Sequence, residues 1–110
     1  MLDLRLYMLQ RLTALVMAPL TIGHIAVMIY AVQGGLTATE ILGRTQGSFG
    51  WLLFYGTFVV AVSIHAAIGL RVVTHEWLGL SGRPLAVFSW LVCIGLLVMG
   101  GRAVLAVTML

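Results

Sequence analysis

Charge is scarce in this chain. Six basic and three acidic side chains make up 8% of the 110 residues, whereas hydrophobic residues make up 62%. The mean hydropathy is +1.14, and soluble domains of ordinary composition carry about 25% charged residues. A core with so little polar surface requires lipid around it. The net charge of +3 is too small and too dispersed to indicate a nucleic-acid partner.

Cysteine and carboxylate are almost as rare. The single cysteine, Cys93, allows neither an internal disulfide nor a cysteine metal site. The acidic residues are Asp3, Glu40 and Glu76, and all three fall near the predicted membrane interfaces. A transmembrane proton relay needs carboxylates at depth, and a zinc site needs more donors than this chain offers. Both functions are therefore disfavoured.

Three long apolar runs dominate what is present. They cover roughly residues 6–32, 49–73 and 84–109, and each exceeds the ~20 residues with which a helix crosses a bilayer. The sequence therefore predicts an all-α membrane protein with three transmembrane helices in a single domain, 1–110. The first run is too long for the ~7–15-residue apolar region of a signal peptide.

Short polar segments connect these runs. Thr37 followed three residues later by Glu40 fits a capping box, which predicts a short interfacial helix over "ATEILG". The arginines are shared unequally between the two membrane faces. Four lie at one face and two at the other: Arg5, Arg11, Arg71 and Arg83 against Arg44 and Arg102. The positive-inside rule then predicts a cytoplasmic N terminus.

Two histidines fall inside the hydrocarbon. His65 lies six residues before Arg71, about 9 Å from that end of its helix, and His24 lies thirteen residues after Arg11, about 20 Å from the same side. A polar group at such depth is costly and indicates a functional site. A neutral histidine bonded to a neighbouring helix is the structural alternative. Because almost no other polar group is buried at this depth, we favour ligation of a cofactor by these histidines over that structural role.

A haem b fits these residues better than a proton relay or a zinc ion. It needs only an axial imidazole from each of two helices and an apolar slot. Ala61 and Gly69 lie four residues on either side of His65, on the same helical face. Small side chains there would leave room for a flat macrocycle.

A longer motif surrounds His65. The stretch "HAAIGLRVVTHE" has the form H-x3-G-x-R-x4-[D/E] and resembles the cytochrome b membrane-anchor subunit of succinate dehydrogenases and fumarate reductases, the complex II family. The segment "LQRLTAL" is similar to the "HRxSG" segment of the same family. The resemblance covers most of the chain. It implies a haem b-binding anchor that transfers electrons between an iron–sulfur subunit and membrane quinone in a bacterial inner membrane.

The resemblance also implies roles for single residues. His65 matches the axial haem ligand, and Arg71 matches an arginine associated with the haem propionates. Arg11 matches an arginine near the bound quinone. Tyr7 stands where some members have a quinone-contacting serine, and Thr13 replaces a serine of the same segment. The expected quinone-binding set is therefore Arg11, Tyr7 and Thr13.

His24 resembles a histidine of the two-haem members of the superfamily. Its estimated separation from His65 along the bilayer normal, about 11 Å, suits two stacked haems better than one shared iron. Each haem would take its second ligand from another chain. Arg102 is expected to meet the propionates of the second haem, and Pro19 is expected to kink the helix beside His24. One or two haems b, shared with a second anchor chain, are thus the expected cofactors.

The chain is expected to be an anchor and not a dehydrogenase. It has no dinucleotide-binding glycine motif after a strand and no cysteine set for iron–sulfur clusters. The expected partners are a flavoprotein and an iron–sulfur subunit on the cytoplasmic face, a second anchor chain (a distinct subunit or another copy), quinone and the bilayer. Two alternatives stay open: a haem-free structural anchor, and a small membrane cytochrome b of another respiratory complex.

Overall fold

The computed structural model describes residues 4–109 as three long helices and one short one. The elements are α1 (Leu4–Gly34), α2 (Ala38–Thr45), α3 (Phe49–Leu78) and α4 (Gly82–Thr108). The three long helices are each long and apolar enough to cross a membrane. This confirms the predicted all-α fold with three transmembrane helices. The cytoplasmic position of the N terminus stays a prediction, and Asp3 lies outside the described residues.

The predicted interfacial helix is present as α2. The Thr37 hydroxyl accepts a hydrogen bond from the Glu40 backbone N–H at 3.2 Å and donates to Glu40 Oε1 at 2.8 Å. This N-terminal cap satisfies one of the backbone donors that a helix leaves unpaired at its start. The helix runs on through Thr45, two residues beyond the predicted segment. Ser48 caps the start of α3 in the same way, accepting from the Trp51 N–H at 3.3 Å.

α3 extends five residues past the predicted apolar run. It ends at Leu78, where Gly79 adopts a left-handed conformation with φ of 72°. The Gly79 N–H donates to the His75 carbonyl at 3.1 Å, and His75 Nδ1–H donates to the Leu80 carbonyl at 2.9 Å. The predicted apolar run ends at residue 73 because polar residues follow it, although the chain remains helical there.

α3 is the central helix of the bundle. It packs against α1 on one face and against α4 on another, and α2 packs against the end of α4. Gly100 brings α4 close to α3, because a Cβ added there would lie 2.6 Å from Val59 Cγ1. Small residues at such a contact are typical of helix pairs in membranes. Thr45 ties α2 to α4 by donating a 2.6 Å hydrogen bond to the Val107 carbonyl.

The interior of the bundle is small, and most large apolar side chains point outward. Five hydrophobic residues are buried among those described: Ala61, Ala67, Ile68, Leu85 and Val104. Exposed leucine and valine side chains occur on all three long helices. A soluble monomer rarely exposes apolar surface on this scale. The outward faces are therefore covered by lipid or by other membrane chains.

Candidate functional site

His65 lies in the seam between α1 and α3. Its Nδ1 atom is 3.2 Å from Thr13 Oγ1, and the Thr13 hydroxyl donates to the Gln10 carbonyl at 2.9 Å. Thr13 is only 6% exposed, so this contact is shielded from both lipid and water. The His65 ring itself is half-buried. Its Nε2 atom makes no hydrogen bond within residues 4–109.

The small residues beside His65 serve the contact between the two helices. Ala61 is buried, at 5% exposure. A Cβ added at Gly69 would lie 3.6 Å from Gln10 Nε2, so the glutamine side chain occupies the space beside Gly69. The space expected beside Gly69 is therefore filled by the Gln10 side chain. The Gln10 Oε1 atom is buried and has no hydrogen-bond partner in the described chain.

Arg71 faces a different part of the bundle from His65. Six residues turn an α-helix by about two-thirds of a revolution beyond one full turn. Arg71 accordingly lines a largely apolar groove of about 410 Å³ between α1, α3 and α4, together with Ile68 and Trp90. His65 does not line this groove. The Arg71 Nε atom is buried there without a hydrogen-bond partner in residues 4–109.

Other residues that were not predicted from the sequence also line this groove. Ser89, Cys93 and Leu97 reach it from α4. Their spacing of four residues marks one helical face, which is the signal that identifies them. Without the packing of α4 against α3, however, that face is indistinguishable from a lipid-facing one.

Arg11 and Tyr7 lie together on the outward face of α1. Arg11 Nη1 donates to the Tyr7 hydroxyl at 3.3 Å, and the guanidinium carbon is 5.7 Å from the Tyr7 ring centroid. Tyr7 is 48% exposed. Thr13, the third predicted quinone residue, points instead into the α1–α3 seam. The structure therefore brings two of the three predicted quinone residues together.

His24 lies farther along the same seam. Its ring centroid is 5.5 Å from that of Phe58 and 6.0 Å from that of Tyr55, and its Nδ1 atom is buried without a partner in the described chain. Thr13, which contacts His65, precedes His24 by eleven residues, or about 16 Å of helix. The two histidines of one chain are therefore too far apart to share an iron.

Arg102 is exposed on α4 and makes no contact with His24 in the described chain. The two residues belong to helices that pack against different faces of α3. α1 continues as one α-helix through Pro19, and the kink expected there stays a prediction.

The fold and these buried polar side chains define a multi-pass helical membrane protein with histidines inside two of its spans. The family model for the succinate dehydrogenase/fumarate reductase transmembrane subunit matches residues 2–101. The chain belongs to this family, as the motif around His65 predicted. No curated protein and no solved structure gives a significant match. Membership supports a role as a membrane anchor in a complex II-like assembly with other subunits.

Proposed function

We propose that this chain is the haem b-binding anchor of a succinate:quinone oxidoreductase or fumarate reductase-like complex in a bacterial inner membrane. It would hold a flavoprotein and an iron–sulfur subunit at the cytoplasmic face, and it would share its cofactor with a second anchor chain. The family match supports the anchor role. The haem, the quinone and the electron transfer between them are the proposed part.

The His65 side chain is the observation that carries this proposal. It places an imidazole inside an apolar helix, with Nδ1 on a buried hydroxyl and Nε2 without a hydrogen bond in residues 4–109. Metal-binding histidines characteristically ligate through one ring nitrogen while the other donates a hydrogen bond. No group of three His, Cys, Asp or Glu side chains forms a metal site in the described chain, but a haem needs only one such residue from each of two helices.

Haem b, when bound, supplies one-electron redox chemistry. The protein contributes the ligand, its orientation and the surrounding dielectric. His65 would provide the nitrogen ligand from α3. Arg71 stays the proposed cation for a propionate, although that propionate would have to reach the groove that Arg71 lines and His65 does not. The supporting observation is its buried Nε–H, which lacks an acceptor in residues 4–109, and an unpaired buried donor costs about 1–3 kcal/mol.

His65→Ala in the intact complex tests this assignment. The substitution should remove or loosen the haem while the complex still assembles in the membrane. A reduced-minus-oxidised spectrum and a pyridine haemochrome assay, both normalised to the anchor chain, measure the haem. His75→Ala is the matched control, because His75 lies in the last turn of the same helix and its side chain binds the Leu80 carbonyl. Full haem content and an unchanged spectrum in His65→Ala would support the haem-free anchor instead.

Quinone binding is proposed at Arg11 and Tyr7. Arg11 lies seven residues after the start of α1, about 10 Å along the helix, so its guanidinium is near the membrane interface. The guanidinium carries five N–H donors that stay protonated, and a quinone carbonyl is an acceptor. The Tyr7 hydroxyl accepts from Arg11 and keeps its own proton for a second carbonyl contact. Thr13 is left out because His65 and Gln10 already engage its hydroxyl.

A second haem at His24 is a separate proposal. The supporting observation is the buried Nδ1 atom of His24, which has no hydrogen-bond partner in the described chain and lies among aromatic rings. A polar side chain at this depth in an apolar span is costly and indicates a functional role. Because Nδ1 is enclosed by the chain, His24 would ligate a second iron through Nε2, with the remaining contacts made by another anchor chain. Arg102 is left out because it is exposed and belongs to a helix on another face of α3.

A further inference from the structure

We infer that Thr13 is a positioning residue for His65, holding the imidazole in the tautomer with its proton on Nδ1 and its lone pair on Nε2. The inference rests on the proposed ligation of haem by His65. It gives Thr13 a role in the redox properties of the haem and not in contact with quinone.

The number of protons in the contact determines the tautomer. The Thr13 hydroxyl has one proton and lies near two groups, the Gln10 carbonyl at 2.9 Å and His65 Nδ1 at 3.2 Å. The carbonyl can only accept, and it forms the shorter of the two contacts, so it takes the hydroxyl proton. The hydroxyl oxygen then faces Nδ1 as an acceptor. Nδ1 must carry the single proton of the neutral ring, which leaves the lone pair on Nε2.

The surroundings of Thr13 hold this acceptor in place. Threonine is β-branched, so few side-chain rotamers are open to it in a helix. Its side chain is 6% exposed, and the hydrogen bond to Gln10 fixes the hydroxyl direction. One turn away, the Gln10 side chain lies against Gly69. The two helices therefore meet on one side of His65, and the acceptor cannot be replaced by solvent.

This hydrogen bond has a consequence for the iron that His65 would bind. A hydrogen bond from Nδ1–H to a fixed acceptor makes the other nitrogen a more basic ligand. A more basic ligand stabilises ferric iron more than ferrous iron. The Thr13 hydroxyl is thus expected to lower the midpoint potential of the haem, as hydrogen bonds to ligands tune other haem sites.

Two substitutions at Thr13 test the inference in the intact membrane-bound complex. Thr13→Val keeps the side-chain shape and removes the hydroxyl, whereas Thr13→Ser keeps the hydroxyl. Thr13→Val should raise the midpoint potential and weaken haem binding by about 10–100-fold, and Thr13→Ser should restore both. A tenfold change in the ratio of ferric to ferrous affinity corresponds to about 59 mV. Thr21→Val, an exposed position on the same helix, should change neither quantity.

The possible outcomes separate the inference from the proposed function. An unchanged potential and haem spectrum in Thr13→Val overturn the inference. An equal shift in Thr13→Ser also overturns it, because the methyl group and not the hydroxyl would then be responsible. If Thr13→Val assembles without haem, Thr13→Ser decides: retention at normal potential supports the inference, and loss overturns it. Ligation by His65 is judged independently, from the haem content of His65→Ala.

Discussion

Replacing Gly100 with alanine tests how closely α4 approaches α3. A Cβ at this position would lie 2.6 Å from Val59 Cγ1, 3.1 Å from its Cγ2 and 3.4 Å from its Cβ. Valine has little rotamer freedom in a helix, so the new methyl group cannot be accommodated by turning one side chain. The helices must move apart, or the contact must be strained. Overpacking of this kind costs about 1–3 kcal/mol.

The neighbouring glycine provides the control. Gly101 lies in the same turn of α4, and a Cβ added there meets nothing within 4 Å. Both substitutions gain the same intrinsic helix preference, about 1 kcal/mol for alanine over glycine, so this gain cancels in the comparison. Gly100→Ala should therefore destabilise the protein by about 1–3 kcal/mol relative to Gly101→Ala.

Thermal unfolding of the complex in detergent, followed by circular dichroism, measures the difference. Gly100→Ala should melt at a lower temperature than Gly101→Ala. Adding Val59→Ala should relieve the clash, so the double substitution should cost less than the sum of the two single ones by about 0.5–3 kcal/mol. Equal melting temperatures for the two glycine variants, with strict additivity in the cycle, would refute the proposed close contact.

Three further predictions follow from the other contacts. Arg11→Leu should slow quinone reduction while dye-linked succinate oxidation by the soluble subunits persists. Arg5→Leu is the control. Equal quinone kinetics in the two variants would mean that Arg11 serves only as a charge that sets the orientation of the chain in the membrane. His24→Leu should lower the haem content of a complex of known subunit ratio, whereas unchanged haem would assign His24 a structural role. Thr45→Val should remove the hydrogen bond to the Val107 carbonyl, at a cost of about 0.5–1.5 kcal/mol. Faster hydrogen exchange confined to α2 would reveal that loss, and unchanged exchange would contradict it.

The three spans and the short helix were predictable from the sequence because lipid imposes strict conditions. A spanning helix must satisfy its backbone hydrogen bonds internally and needs ~20 apolar residues, so run length alone identified three of them. Thr37 and Glu40 carry a local capping signal that depends on nothing distant. The motif from His65 through Arg71 to Glu76 likewise identified the family, since it is read along one stretch of chain.

Only the tertiary structure decided which side chains meet. The long helices are apolar on every side, so periodicity cannot distinguish the face that contacts another helix from the one that contacts lipid. Thr13 was grouped with Arg11 because it replaces a serine of the family segment that resembles "LQRLTAL". Two residues turn a helix by more than half a revolution, so Arg11 points outward and Thr13 contacts His65. Arg71 belongs to the same motif as His65, but for the same geometric reason it lines a groove that His65 does not line.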